Sequence, residues 1–178
     1  MIDTAEDGGL TRAQVIGRTA GTLAAVGILS LWLYAFFIYD PGLKIDELAD
    51  RSFPRAAEQV CATTRERIDA LPPAFRADTP ADRADVVDQA NRELRSMVAE
   101  LRNIVPADAG RITTGVNEWL DDWGQYIDDR QAYADGLRVD GDTRFTESVK
   151  ANRQVSRAID GFAKVNRMES CTAPGDVG

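Results

Sequence analysis

The chain of 178 residues contains no histidine, only two cysteines and three lysines. Without histidine there is no base for a Ser-His-Asp or Cys-His nucleophile and no imidazole ligand for zinc. A histidine-based pH switch is excluded too. The sequence has neither a G-x-G-x-x-G nor a Walker glycine loop to cradle phosphate, and no C-x-x-C spacing for a redox pair. Basic charge is also short: 21 Lys and Arg stand against 29 Asp and Glu, for a net charge of −8. A chain that neutralises nucleic-acid phosphates needs the opposite balance, so no nucleic-acid partner is expected.

What the sequence does have is a long apolar run. From Thr19 to Tyr39 there are 21 residues without a charge, flanked by Arg18 and Asp40. As a helix this run reaches about 31 Å, the hydrocarbon thickness of a bilayer. Trp32, Tyr34 and Tyr39 gather toward its outer end, where aromatic rings meet a membrane-water interface. A cleaved signal peptide would need a shorter core and a small-x-small site, but this run ends in bulky Phe36-Phe37-Ile38-Tyr39. The expectation is a retained transmembrane helix over 19–39. Gly21 and Ala25 within it, with Gly17 just outside it beyond Arg18, form a partial small-residue ridge that would let two spans approach in a homodimer.

Positive flanking residues do not decide the orientation, since Arg12 and Arg18 precede the run and Lys44, Arg51 and Arg55 follow it. The cysteines do: Cys61 and Cys171 both follow the run, and a pair there suits an oxidising compartment. Residues 1–18 are therefore expected as a short cytoplasmic tail and 40–53 as a membrane-proximal linker. Residues 54–171 form the extracytoplasmic domain, and 172–178, ending Ala-Pro-Gly-Asp-Val-Gly, form a flexible tail. The expected location is the cell membrane, with a single pass.

Beyond the linker the pattern is helical throughout, giving an all-α fold: an N-terminal transmembrane helix followed by an antiparallel up-down four-helix bundle. The first bundle helix is read over Pro54–Leu71, with Ala57, Val60, Cys61, Thr64, Ile68 and Leu71 inward and Pro72-Pro73 as its stop. Thr79 caps the second, Pro80 fills its first turn, and Val87, Ala90, Leu94, Met97, Val98, Leu101 and Ile104 form its stripe until Pro106. The third runs over Asp108–Arg138 and turns at Asp140-Gly141-Asp142; the fourth is read over Thr143–Met168, with Phe145, Val149, Val155, Ile159 and Phe162 inward. Such a bundle brings the start of its first helix and the end of its fourth to one end, so Cys61 and Cys171 are expected to meet in a disulfide.

The third helix is the most distinctive passage. Trp119, Trp123, Tyr126, Arg130 and Tyr133 follow three-four spacing, so one charge interrupts an apolar seam. One reading packs the stem of Arg130 between the tyrosines, with its guanidinium reaching water or a carboxylate at the rim. The other makes these five residues an aromatic-basic interaction patch, built from residue types enriched at binding hot spots. In this passage the chain resembles small, uncharacterised single-pass membrane proteins of high-GC Gram-positive bacteria, which pair an anchor with a helical outer domain. That resemblance implies a setting and no activity.

Asp121-Asp122 and Asp128-Asp129 read as a solvated helix face, and Asp140-Gly141-Asp142 lacks the spaced acids and terminal Glu of a calcium loop. No catalytic residue, metal ligand or cofactor site is identified. The expected function is a non-enzymatic interaction or structural part of the cell envelope, with the lipid bilayer and an envelope protein as partners. The alternative is a small-molecule sensor ectodomain that acts through a partner membrane protein. Residues 40–178 carry a net charge of −7, which favours a domain held away from an anionic lipid surface.

Overall fold

The computed structural model describes residues 12–38, 46–107 and 110–177. It divides into two compact units, residues 1–42 and 43–178, and the fold is mostly helical.

The first unit holds helix α1, Arg12–Leu33, which continues into a π-helical turn, Tyr34–Ile38. Every described side chain of the apolar run, residues 21–36, is exposed. Leu23, Val26, Ile28, Leu29, Leu31 and Leu33 all stand open, and Trp32 stacks on Phe36 with centroids 5.2 Å apart. Among the described residues no helix is long and apolar enough to cross a membrane. Part of the 19–39 run falls outside the described side chains, Tyr39 among them. Gly21, in the middle of the small-residue ridge, has open space beside it.

The second unit is built on α2, Ser52–Asp69; α3, Pro80–Asn103; α4, Arg111–Asp140; and α5, Val155–Val165. The start of α3 follows from local chemistry. Thr79 Oγ1 accepts the amide of Asp82 at 3.1 Å and donates to its carboxylate at 2.7 Å, while Pro80 takes the position whose N–H would lack a partner. At the end of α4, Gly141 adopts φ 69° and its amide closes on the Leu137 carbonyl, the left-handed cap that glycine takes without strain. From Arg111 to Asp140 α4 runs unbroken through Gly115 and Gly124.

The expected fourth helix is the main correction. Residues 142–148 have no regular secondary structure, Val149–Lys150 and Arg153–Gln154 pair as a two-stranded hairpin, and only Val155–Val165 is helical. Three contacts to α4 outweigh helix propensity here. Phe145 sets its ring against both Tyr126 and Tyr133, at 6.1 and 5.7 Å. Ser148 donates its amide and hydroxyl to the Asp129 carboxylate, at 2.7 and 2.8 Å. Thr143 crosses directly over Gly136. Val149, expected inside, stands 69% exposed.

The Thr143 crossing gives the first prediction. A Cβ on Gly136 would lie 2.7 Å from Thr143 Cγ2 and 3.2 Å from its Cβ, too near the backbone for a rotamer change to relieve. Gly136→Ala is expected to destabilise the domain by about 1–3 kcal/mol, the range for overpacking, although alanine is the better helix former. Thermal unfolding measures it, with Thr143→Ala expected to recover part of the loss; an unchanged midpoint for Gly136→Ala alone would refute the close approach.

The helices pack in chain order, α2 on α3, α3 on α4 and α4 on α5. α2 and α5 make no close backbone approach among the described residues; the 3-10 turn Glu169–Cys171 lies between them and touches both. The Cys61–Cys171 disulfide, with Cα atoms 5.1 Å apart, ties that turn to α2. Glu58 reinforces it by accepting the amide and hydroxyl of Ser170.

The described parts of the expected linker and of the expected flexible tail belong to this unit. In the linker, Leu48 is buried in the core and its amide donates to Asn166 Oδ1 at 2.9 Å, while Asp50 accepts from the amide and hydroxyl of Ser52 at the start of α2. Those bonds hold the exposed Asp50 carboxyl below its ordinary pKa. The expected flexible tail is likewise docked over residues 172–177, because its backbone and one carboxylate find partners on α2, α4 and α5, described next.

Candidate functional site

The five residues expected as a surface patch are in the interior. Trp119, Trp123, Tyr126, Arg130 and Tyr133 are all under 7% exposed. Their three-four spacing directs one face of α4 inward, and burial of the rings decides which face. An aromatic ladder results: Trp119 stacks on Phe162 at 5.2 Å, then meets Trp123 edge to face, and Trp123 meets Tyr126 in the same way. The Trp119 indole N–H donates to the Ile159 carbonyl at 3.2 Å, pinning α5 to α4.

Arg130 follows the carboxylate reading but goes deeper than a rim. Its side chain is fully buried, and the guanidinium carbon sits 5.7 Å from the Tyr126 ring centroid. Nε donates to Asn91 Oδ1 at 2.7 Å. Nη1 and Nη2 donate to the two carboxylate oxygens of Asp176, the second at 2.8 Å, a bidentate fork. Burial works against the charged form, but the hydrogen bonds and charge of Asp176 outweigh it and hold the Arg130 pKa above its ordinary value.

The surrounding groove grips the backbone of the tail. The Tyr126 hydroxyl donates to the Pro174 carbonyl at 2.9 Å. Arg65 donates to the Ser170 and Thr172 carbonyls, and Asp160 accepts the amide of Ala173 at 2.9 Å. Beside residues 174–176 the groove opens into a cavity of about 310 Å³, lined on its other sides by Arg65, Ile68, Asp69, Leu71, Ala74 and Val86. Two buried donors beside this seam, Asn91 Nδ2 and Trp123 Nε1, have no hydrogen-bond partner.

No protein-family model, curated protein or solved structure matches this chain. The site therefore has to be read from its own atoms.

Sequence reasoning missed Asn91 and Asp176. Asn91 stands one residue from Ala90 on the α3 stripe and carries the polar atom that a buried arginine requires. Asp176 is the only acid after Glu169, yet Pro174-Gly175 reads as a loose end. The acids read as a solvated face divide: Asp129 anchors Ser148, and Asp122 takes Lys150 at 2.7 Å with its side chain only 12% exposed, while Asp121 is exposed and pairs with Arg102. Among the described residues no group of acids and cysteines could hold a metal ion.

Burial of Tyr126 pushes its phenol pKa up to about 12, against the opposing charge of Arg130. In the unfolded chain the phenol ionises near 10, so between about pH 10 and 12 the unfolded state has lost a proton that the folded state keeps. The stabilisation is complete below pH 10 and is lost as pH rises through 12, by about 2–3 kcal/mol. Ultraviolet titration of the folded chain is expected to show a late tyrosine step that is absent in Tyr126→Phe. A late step that survives in that variant would contradict the assignment.

Proposed function

We propose that the protein is a single-pass, membrane-anchored helical module that acts by protein–protein interaction outside the cytoplasm, without enzymatic activity. The observation carrying this reading is α1, whose run of apolar side chains, residues 21–36, is exposed. In water such a surface is unfavourable by about 25 cal/mol per Å², whereas lipid satisfies it. The Cys61–Cys171 bond supports an oxidising compartment. Trp32 and Tyr34 suit the headgroup level, and the resemblance to anchored envelope proteins points the same way. Within this reading the second unit is an up-down four-helix bundle in which an irregular segment and hairpin replace the first half of the last helix.

A second reading, a small-molecule sensor, draws on an open groove of about 550 Å³ between α4, the hairpin and α5, lined in part by Trp119, Phe162, Arg153 and Arg157. Native mass spectrometry of the purified chain distinguishes it through a retained small molecule.

Anchoring is tested by alkaline carbonate extraction together with a C-terminal alkaline phosphatase fusion. A pelleted chain with an active fusion is expected. Release by carbonate would defeat the anchor, and a pelleted but inactive fusion would reverse the orientation. In-cell crosslinking then tests interaction, and recovery of a defined envelope protein complex is the supporting result.

A further inference from the structure

We infer that buried Arg130 is the floor of a carboxylate-recognition site, which the chain fills with its own Asp176 and which an acidic, extended segment of a partner protein takes when residues 172–177 move out. The inference rests on the interaction reading for its partner, and on the groove geometry for its chemistry.

The tail is held as a peptide ligand is held. Its carboxylate receives the two-pronged guanidinium, and its backbone carbonyls receive the Tyr126 hydroxyl at Pro174 and the Arg65 guanidinium at Thr172. Of its side chains over 172–177 only Pro174 is buried. Ala173 and Val177 pack, partly buried, against the core beside it, and the donors to backbone and carboxylate accept an extended segment that carries an acid at the right place and small apolar residues around it.

A purely structural role does not require this arrangement. An apolar residue at 130 would complete the seam at no desolvation cost, and exchanging a buried ion pair for packed hydrophobic residues is often neutral or stabilising. A charge kept at the centre of the core instead specifies what may lie against it. The segment supplying the counter-charge has no regular secondary structure after Cys171 and its Asp176 side chain is 25% exposed, features of a part that opens locally before the fold does. Once it opens, Arg130 has no counter-charge and keeps only neutral neighbours, the Tyr126 ring and Asn91, whose own Nδ2 already lacks a partner. An incoming carboxylate relieves that state. The cavity of about 310 Å³ beside residues 174–176 leaves room for side chains larger than those of the tail.

The test uses the full chain in detergent carrying Asp176→Ala, with the fluorescently labelled capped peptide Thr-Ala-Pro-Gly-Asp-Val as probe. The variant is expected to bind the peptide at least tenfold more tightly than wild type does, because the wild-type tail competes intramolecularly. The peptide with Asn in place of Asp is expected to bind at least tenfold more weakly, and Arg130→Met in the same background is expected to abolish binding. A folded variant that ignores the peptide, or that binds both peptides equally, overturns the inference.

Should Asp176→Ala not fold, a chain with a protease site between Thr172 and Ala173 is folded first, then cut and followed by native mass spectrometry. Exchange of the cut fragment for labelled peptide is expected; a fragment that never exchanges, or leaves without replacement, overturns the inference. Peptide capture is independent of membrane extraction. A chain released by carbonate that still binds the peptide defeats only the anchor, and an anchored chain that ignores it defeats only this site.

Discussion

Reduction of the Cys61–Cys171 bond is expected to lower the stability of the second unit by about 4–5 kcal/mol, the chain-entropy value for a closed loop of this size. The two cysteines are 110 residues apart, so the bond restrains almost the whole unit in its unfolded state. It also acts where helix packing does not reach, since α2 and α5 are joined through the 3-10 turn rather than directly. Against a total of about 5–15 kcal/mol for an ordinary domain, that loss takes the unit to the edge of folding. Both sulfur-bearing residues are at most 1% exposed, so reductant reaches them only through opening. Urea unfolding of the oxidised chain and of Cys61→Ala/Cys171→Ala measures the difference. A shift below 1 kcal/mol would show that the turn docks without the bond.

Asp176→Ala is expected to cost about 3 kcal/mol or more, and Arg130→Met distinctly less. The asymmetry follows from where each partner sits. Removing the aspartate strands a fully buried cation, and breaking a buried pair from that side costs about 3–5 kcal/mol. Removing the arginine leaves a carboxylate already 25% exposed, which turns to water, while methionine fills the seam between the tyrosines. Chemical denaturation of both variants, and of the double variant, gives the coupling between them. Equal costs, or a costlier Arg130→Met, would mean that the pair is not buried as described.

Both predictions concern contacts far apart in sequence, and this marks the limit of what the sequence made legible. Helices α2 to α4 were readable because their evidence is local: Thr79 and Pro80 start α3, Gly141 ends α4, and the apolar stripes repeat every three or four residues. The disulfide followed from chain topology. The region after Gly141 was misread because Phe145 and Val149 are spaced like one helix face. The rings of Tyr126 and Tyr133 claim Phe145, and Asp129 claims Ser148, so the segment is not helical. Local signals were mixed at the hairpin turn, where Ala151 and Asn152 both take positive φ, a conformation asparagine accepts more readily than alanine. The patch failed for a related reason. Trp, Tyr and Arg at three-four spacing describe a face but do not say whether it points to solvent, and the counter-charge that lets Arg130 face inward lies 46 residues away.

The position of the disulfide also sets an order of events during synthesis. Cys61 emerges 110 residues before its partner, a delay of about 5–20 s at ordinary elongation rates. Throughout that interval α2, α3 and α4 can associate, but the thiol has no mate in its own chain, and a bond made then could join only two separate molecules. The correct closure waits until α5 and the turn after it exist. Covalent sealing is thus the last step of assembly, and an oxidised monomer on a non-reducing gel is a chain whose helices had all been made before it was locked.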